Sequence, residues 1–153
     1  MIDLNKIIQR TLELAKSAGA NDEVPVGAVI FDDEGNIIAE SENKTRREHS
    51  VSFHAELAVI AQMGSKKGSE NLSEYHLATS LEPCAMCAQA IAWAKLKSVV
   101  IACDDEKSGG VLHNAKVFEH SHHKPEVIYL SEYKDQSASL LKEFFKAKRK
   151  NRI

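Results

Sequence analysis

The sequence is poor in cysteine, with three in 153 residues, two of them in a single Cys-x-x-Cys pair. An odd, sparse set excludes a disulfide framework and points to a metal or redox site in a reducing compartment. Long apolar runs are also missing, and nothing approaches the roughly 18 residues of a membrane-spanning helix. The opening Met1-Ile2-Asp3-Leu4-Asn5-Lys6 lacks the basic start and apolar stretch of a leader. A cytoplasmic chain without membrane attachment is therefore expected. No internal repeat, low-complexity tract or linker divides the chain, so residues 1–153 should form one domain. The apolar share of 43% and charged share of 27% are ordinary for a globular protein and exclude disorder, collagen and coiled coil as whole-chain readings.

Net charge is small, at −2, but unevenly spread. Residues 142–153 carry +5, from Lys142, Lys146, Lys148, Arg149, Lys150 and Arg152 against Glu143, which leaves −7 on residues 1–141. Such asymmetry suggests an anionic partner at one end, set against the plain alternative of a solvated tail. Lys44, Arg46 and Arg47 make a second basic patch.

Leu4, Ile7, Ile8, Leu12, Ala15 and Ala18 recur at helical spacing, with Asp3 placed to cap and Gly19 to end the helix. The β-branched run Val24–Phe31, a turn at Asp32–Asn36 and a strand from Ile37 read as a hairpin. A helix from His54 to Met63 should bury Leu57, Ile60 and Ala61. A strand at Tyr75–Leu81 runs into a helix carrying Ala85 to Leu96. Strands at Ser98–Cys103 and Glu126–Leu130 flank a short helix near Asn114–Phe118. A closing helix over Ser137–Arg149 should turn Leu140, Leu141, Phe144 and Phe145 inward, with Phe144 in the core and Phe145 the more exposed. This α-β-β-α-β-α-β-(α)-β-α order implies a mixed sheet with helices on both faces, its first two strands antiparallel.

Two segments carry the chemistry: His54-Ala55-Glu56 and Pro83-Cys84-Ala85-Met86-Cys87, each opening a helix. Cys84 and Cys87 share one face of a first turn, where the helix dipole and free N–H groups favour thiolate, the metal-binding form. Two thiolates and one imidazole suit zinc and leave a fourth tetrahedral position open, as in a catalytic rather than a structural site. Glu56 then stands beside the metal as a general acid–base. A thioredoxin-like redox pair, or a zinc-stabilised binding module, fits the Cys-x-x-Cys alone but needs neither His54 nor Glu56. Cys103 reads as a buried free thiol, and His113, His120, His122 and His123 as a solvated loop.

His-x-Glu with Pro-Cys-x-x-Cys is the signature of zinc deaminases acting on cytosine or adenine. From about Asp22 to Arg149 the chain resembles the bacterial tRNA adenosine deaminases of that superfamily. The resemblance rests on Glu23-Val-Pro-Val-Gly-Ala-Val29, Asn43, His54-Ala-Glu56, Ser80-Leu-Glu-Pro-Cys-Ala-Met-Cys87, Asp105-Glu-Lys-Ser-Gly109 and Phe144-Phe-Lys-Ala-Lys-Arg149. It implies a three-layer α/β/α sandwich of the cytidine-deaminase type, a mixed five-stranded sheet, a homodimer and one zinc ion per subunit. It also implies hydrolysis of adenosine to inosine at the wobble position of an anticodon. His54, Cys84 and Cys87 would hold zinc, and Glu56 would shuttle protons. Val24, Asn43 and Ala55 would meet the flipped adenosine, and Asp105, Lys107, Phe145, Lys148 and Arg149 would meet the anticodon loop.

Three stretches depart from that pattern. Ser50-Val-Ser-Phe53 replaces the usual Asp-Pro-Thr-Ala, and Phe53 is expected to reshape the pocket rim. Trp93-Ala94-Lys95 looks more like bacterial guanine deaminases, and His122-His123-Lys124 replaces Asn-His-Arg. The rival reading is therefore a deaminase of a free base or nucleoside, guanine or cytosine, with the same zinc chemistry and no RNA surface.

Overall fold

Asp3 accepts a hydrogen bond from the Lys6 backbone N–H and starts the first helix, α1, Leu4–Ala20, in the computed structural model, which describes residues 2–150. Its apolar stripe of Ile7, Ile8, Leu12, Leu14, Ala15 and Ala18 is buried. Then come β1 (Gly27–Phe31), β2 (Ile37–Glu42), α2 (Ala55–Lys67), β3 (His76–Thr79), α3 (Ala85–Trp93), β4 (Ser98–Ile101), β5 (Glu126–Tyr129) and α4 (Lys134–Lys150). The short helix expected near Asn114–Phe118 is a 3₁₀ turn at Val117–Glu119.

The strands form one sheet in the order β2-β1-β3-β4-β5. β1 pairs antiparallel with β2 and with β3, and β3, β4 and β5 run parallel. The expected mixed sheet of an α/β/α sandwich is present. One core packs α2 and α3 against Ala28, Ile30, Leu77, Val99 and Ile101. The other packs α1, Tyr133 just before α4 and Leu140 within it against Val29, Phe31, Ala78 and Val100. Alternate residues of β1 thus feed opposite layers, as strand geometry requires. Gly27 lets α1 lie directly on β1, since a Cβ there would overlap the backbone at Thr11 and Ala15.

Three local expectations need correction. The buried face of α2 is Ala55, Glu56, Val59 and Met63, whereas Ala61 is exposed and Leu57 and Ile60 are half-buried. This helix is apolar around much of its surface, so periodicity did not fix its rotation; burying Glu56 beside the cysteines does. Phe144 belongs to neither core and stacks edge-on with Phe145 at 5.4 Å between ring centres. Within α4 only Ser137 is buried, its hydroxyl donating to the Ser80 carbonyl at 2.6 Å. The extended segment before β1 stays outside the ladder, and this frees Val24 for the site described next. Arg152, counted in the basic tail, lies outside the described residues.

No helix among the described residues is long and apolar enough to cross a membrane.

Candidate active site

The two parallel crossovers bring the starts of α2 and α3 together. His54 occupies the N-cap of α2 and Cys84 the N-cap of α3, both with extended backbone, and neither side chain caps its own helix. Their polar atoms are therefore free to face each other. His54 Nδ1 lies 3.6 Å from Cys84 Sγ and 3.5 Å from Cys87 Sγ. A tetrahedral ion with Zn–S near 2.3 Å and Zn–N near 2.05 Å would set each N···S edge at about 3.6 Å. The three ligand atoms all lie within 4.8 Å of one another, so the donor set fits zinc in type and in spacing.

The electrostatics favour a cation. In the metal-free site the Cys84 thiol is drawn down to about 4. The hydrogen bond from Cys87 contributes most and that from His54 adds to it, against burial. Cys87 is pushed up by that same contact and by burial, while His54 is raised by its bond to Cys84. The three side chains are thus coupled through their protons, which a divalent ion would displace. Glu56, 4% exposed, is pushed up to about 7, chiefly by desolvation. That value suits a group that must both take and give a proton near neutrality.

A cavity of about 210 Å³ opens here, lined by Val24, Val26, Asn43, Thr45, His54, Glu56, Leu81, Glu82, Cys84, Asp105 and Ser108. It is smaller than the roughly 300–1,000 Å³ of sites for drug-sized ligands and suits one planar base. Asn43 Oδ1 accepts the Ala55 N–H at 2.7 Å. Its Nδ2 has no partner among the described residues and is left as a donor toward the cavity. Ala55, expected on the pocket wall, is fully buried behind it. Through Val24, Leu81, Asp105 and Ser108 the cavity adjoins a groove of about 710 Å³ between the 103–108 loop and α4. Lys107 and Phe145 line that groove, with Phe145 44% exposed.

The other two RNA candidates are not brought there. Lys148 pairs with Asp22 and sits over the Phe144 ring, and Arg149 is exposed in the last turn of α4. Lys142 lines the groove instead. Arg46 pairs with Asp22, and Arg47 with Glu23 and Glu42, so that second basic patch is largely neutralised. Phe53 does not line the cavity, and Trp93 lies at the far end of α3. Neither Phe53 nor Trp93 is a lining residue of the cavity.

Sequence reasoning passed over two buried carboxylates. Glu23, fully buried, accepts the Arg46 and Arg47 backbone N–H groups and shapes the loop after Asn43. Glu82 accepts four backbone N–H groups from residues 105–113. The available signal was an acidic residue one or two positions before a proline, Glu82 before Pro83 and Glu23 before Pro25. His113, expected in a solvated loop, bonds Asp104 at 3.0 Å through Nε2. His123 Nε2 is 2.7 Å from the Leu96 carbonyl oxygen. Cys103 is buried and free, as expected.

The family model of the cytidine and deoxycytidylate deaminase zinc-binding region matches residues 1–103. A tRNA-specific adenosine deaminase of Agrobacterium fabrum is 39% identical over 151 residues, covering 97% of this chain and 98% of its own. A solved structure from work on A-to-I editing by tRNA deaminases at the wobble position has a TM-score of 0.85 and 38% identity. It covers 90% of this chain and 99% of its own. A guanine deaminase from Nitrosomonas europaea has a TM-score of 0.82 at 23% identity, covering 94% and 85%, a likeness of fold alone.

Proposed function

Because this chain belongs to the cytidine and deoxycytidylate deaminase zinc-binding family, and within it to the tRNA-specific adenosine deaminases, we propose that it hydrolyses adenosine to inosine at the wobble position of a tRNA anticodon. The observation that carries this reading is the continuity of a base-sized cavity with an open groove walled by Lys107, Lys142 and Phe145. A free base needs only the cavity. A base splayed out of an RNA loop needs room for its neighbours, with cations for phosphate and an aromatic face for stacking.

Zinc held by His54, Cys84 and Cys87 would lower the pKa of water and supply a nucleophile at neutral pH. The chain does the rest. Asn43 Nδ2 and Val24 orient the base. Glu56 takes a proton from the attacking water and delivers it to N1 as C6 becomes tetrahedral, then carries the second water proton to the amino group, which departs as ammonia. Burial of Glu56 keeps bulk water from competing for those protons.

We also place the partner of a homodimer on the α2–α3 face. Met86 and Trp93 are 41% and 70% exposed there, and Ile60, Ala61 and Ala90 continue the apolar surface around a shallow pocket. Patches of this kind mark association surfaces.

The test offers the zinc-loaded protein an anticodon stem-loop with wobble adenosine, alongside free guanine, cytosine and adenosine. Inosine in the RNA with no ammonia from the free compounds supports the reading. Turnover of guanine alone overturns it.

A further inference from the structure

Glu82 stands between the ligand turn and the groove, and nothing in the chemistry above uses it. Its side chain has no solvent exposure. Oε1 accepts the Asp105 N–H at 2.9 Å, and Oε2 accepts the Val111, Leu112 and His113 N–H groups at 3.1, 2.9 and 3.1 Å. Both oxygens are thus engaged with one loop, although Glu82 lies only two residues before the ligand Cys84. The loop has been shaped to fit. A Cβ added at Gly109 would overlap the Glu82 carboxyl group, and one added at Gly110 would overlap the Ala85 backbone. The Gly110 N–H also bonds the Pro83 carbonyl at 2.8 Å. Residues 105–113 therefore lie directly on the Leu81–Ala85 turn, with Glu82 as the clasp. Asp105 and Ser108 wall the cavity, and Asp105–Ser108 wall the groove.

We propose that Glu82 is a positioning residue that fixes the RNA-side wall of the site, setting how tightly the substrate is held without taking part in the proton transfers. The inference rests on the tRNA reading above. A carboxylate is required because only two acceptor oxygens can serve both ends of the loop. The amide of glutamine must turn its NH₂ toward one set of N–H donors. Turning it toward Asp105 sacrifices one bond instead of three, so Glu82→Gln should free the Asp105 edge specifically.

The experiment compares the zinc-loaded full chain with Glu82→Gln and Gly109→Ala, the second variant pressing the same clasp from the loop side. KM and kcat are measured on the anticodon stem-loop, together with zinc content and amide hydrogen exchange across residues 104–113. Freeing the half-buried Asp105 N–H should loosen this wall and raise KM on the order of tenfold. The proposal expects kcat and zinc content to hold while exchange at Asp105 accelerates in Glu82→Gln. Loss of zinc, or a fall in kcat at unchanged KM, makes Glu82 a support of the metal turn and overturns the proposal. Unchanged exchange at Asp105 overturns it too. If the parent protein does not act on the stem-loop, the functional reading fails, and exchange with zinc content still decides whether Glu82 clasps the loop.

Discussion

Replacing Glu56 by glutamine should make the metal-free protein more stable and the loaded protein inactive. The Glu56 carboxyl is buried and its pKa stands at about 7 against an ordinary 4.5, a difference of about 3 kcal/mol at about 1.4 kcal/mol per pH unit. The sign follows from proton counting. Between pH 4.5 and 7 the folded chain holds a proton that the unfolded chain has released, so stability falls as pH rises through that window and levels off above it. Glutamine cannot titrate. The stability gap in favour of Glu56→Gln should therefore be small at pH 5 and grow by about 2–3 kcal/mol by pH 8.

Urea unfolding of both proteins, metal-stripped and reduced, at those two pH values measures the gap directly. Titrating groups away from the ligand cluster cancel in the comparison because both chains share them, whereas His54 and Cys87 feel the Glu56 charge and shift with its removal. Added zinc should shrink the gap, since a nearby cation favours the charged carboxylate. The same variant should keep its zinc and lose at least about 10²–10⁴-fold in turnover of the stem-loop, the usual worth of one general acid–base group. A gap that does not change with pH, or turnover at the parent rate, refutes the assignment of Glu56.

Removing one of three ligands should cost the metal: Cys87→Ser is expected to leave well under one zinc per chain after dialysis, by metal analysis, while Cys103→Ser keeps a full complement. His113 is raised chiefly by its bond to Asp104, so its pairing contributes below its unfolded pKa of about 6.5 and fades as pH rises through the higher folded value. Unfolding of His113→Gln should thus show a larger deficit against the parent at pH 6 than at pH 9. Trp93→Asp should weaken self-association at least tenfold by sedimentation, as loss of a central aromatic anchor does, with the zinc content intact.

Much of the fold was legible because its signals are local. β-branched runs marked β1 and β4, and Asp3 marked the start of α1. The cluster of His54, Cys84 and Cys87, which could hold a metal ion, was legible only through the combined His-x-Glu and Pro-Cys-x-x-Cys signature, since His54 stands 30 positions before Cys84 and the Cys-x-x-Cys alone also fits a redox pair. The rotation of α2 was not legible, because an apolar surface on several sides leaves the helical period without a preferred face. The direction taken by Lys148 was equally hidden. It depends on Asp22, which lies 126 positions away in the chain and is held below the ordinary carboxylate range chiefly by that lysine.

The buried carboxylates were missed because an acidic residue is almost never fully buried unless it is paired, and pairing is a property of the folded chain. Glu23, Glu56 and Glu82 are all buried, and their partners separate their roles. Desolvation acts against Glu23, yet the N–H groups of Arg47 and Arg46 prevail and hold it below the ordinary range. Glu82 is spread over four N–H groups. Each therefore fixes a loop beside the cavity and is spent as an acceptor. Glu56 has no such set of donors and opens on the cavity, so burial raises it to about 7. A buried carboxylate saturated with backbone donors holds its surroundings in place. That contrast sets Glu23 and Glu82, each tied to a loop, apart from Glu56, the one of the three that suits the proton transfers proposed above.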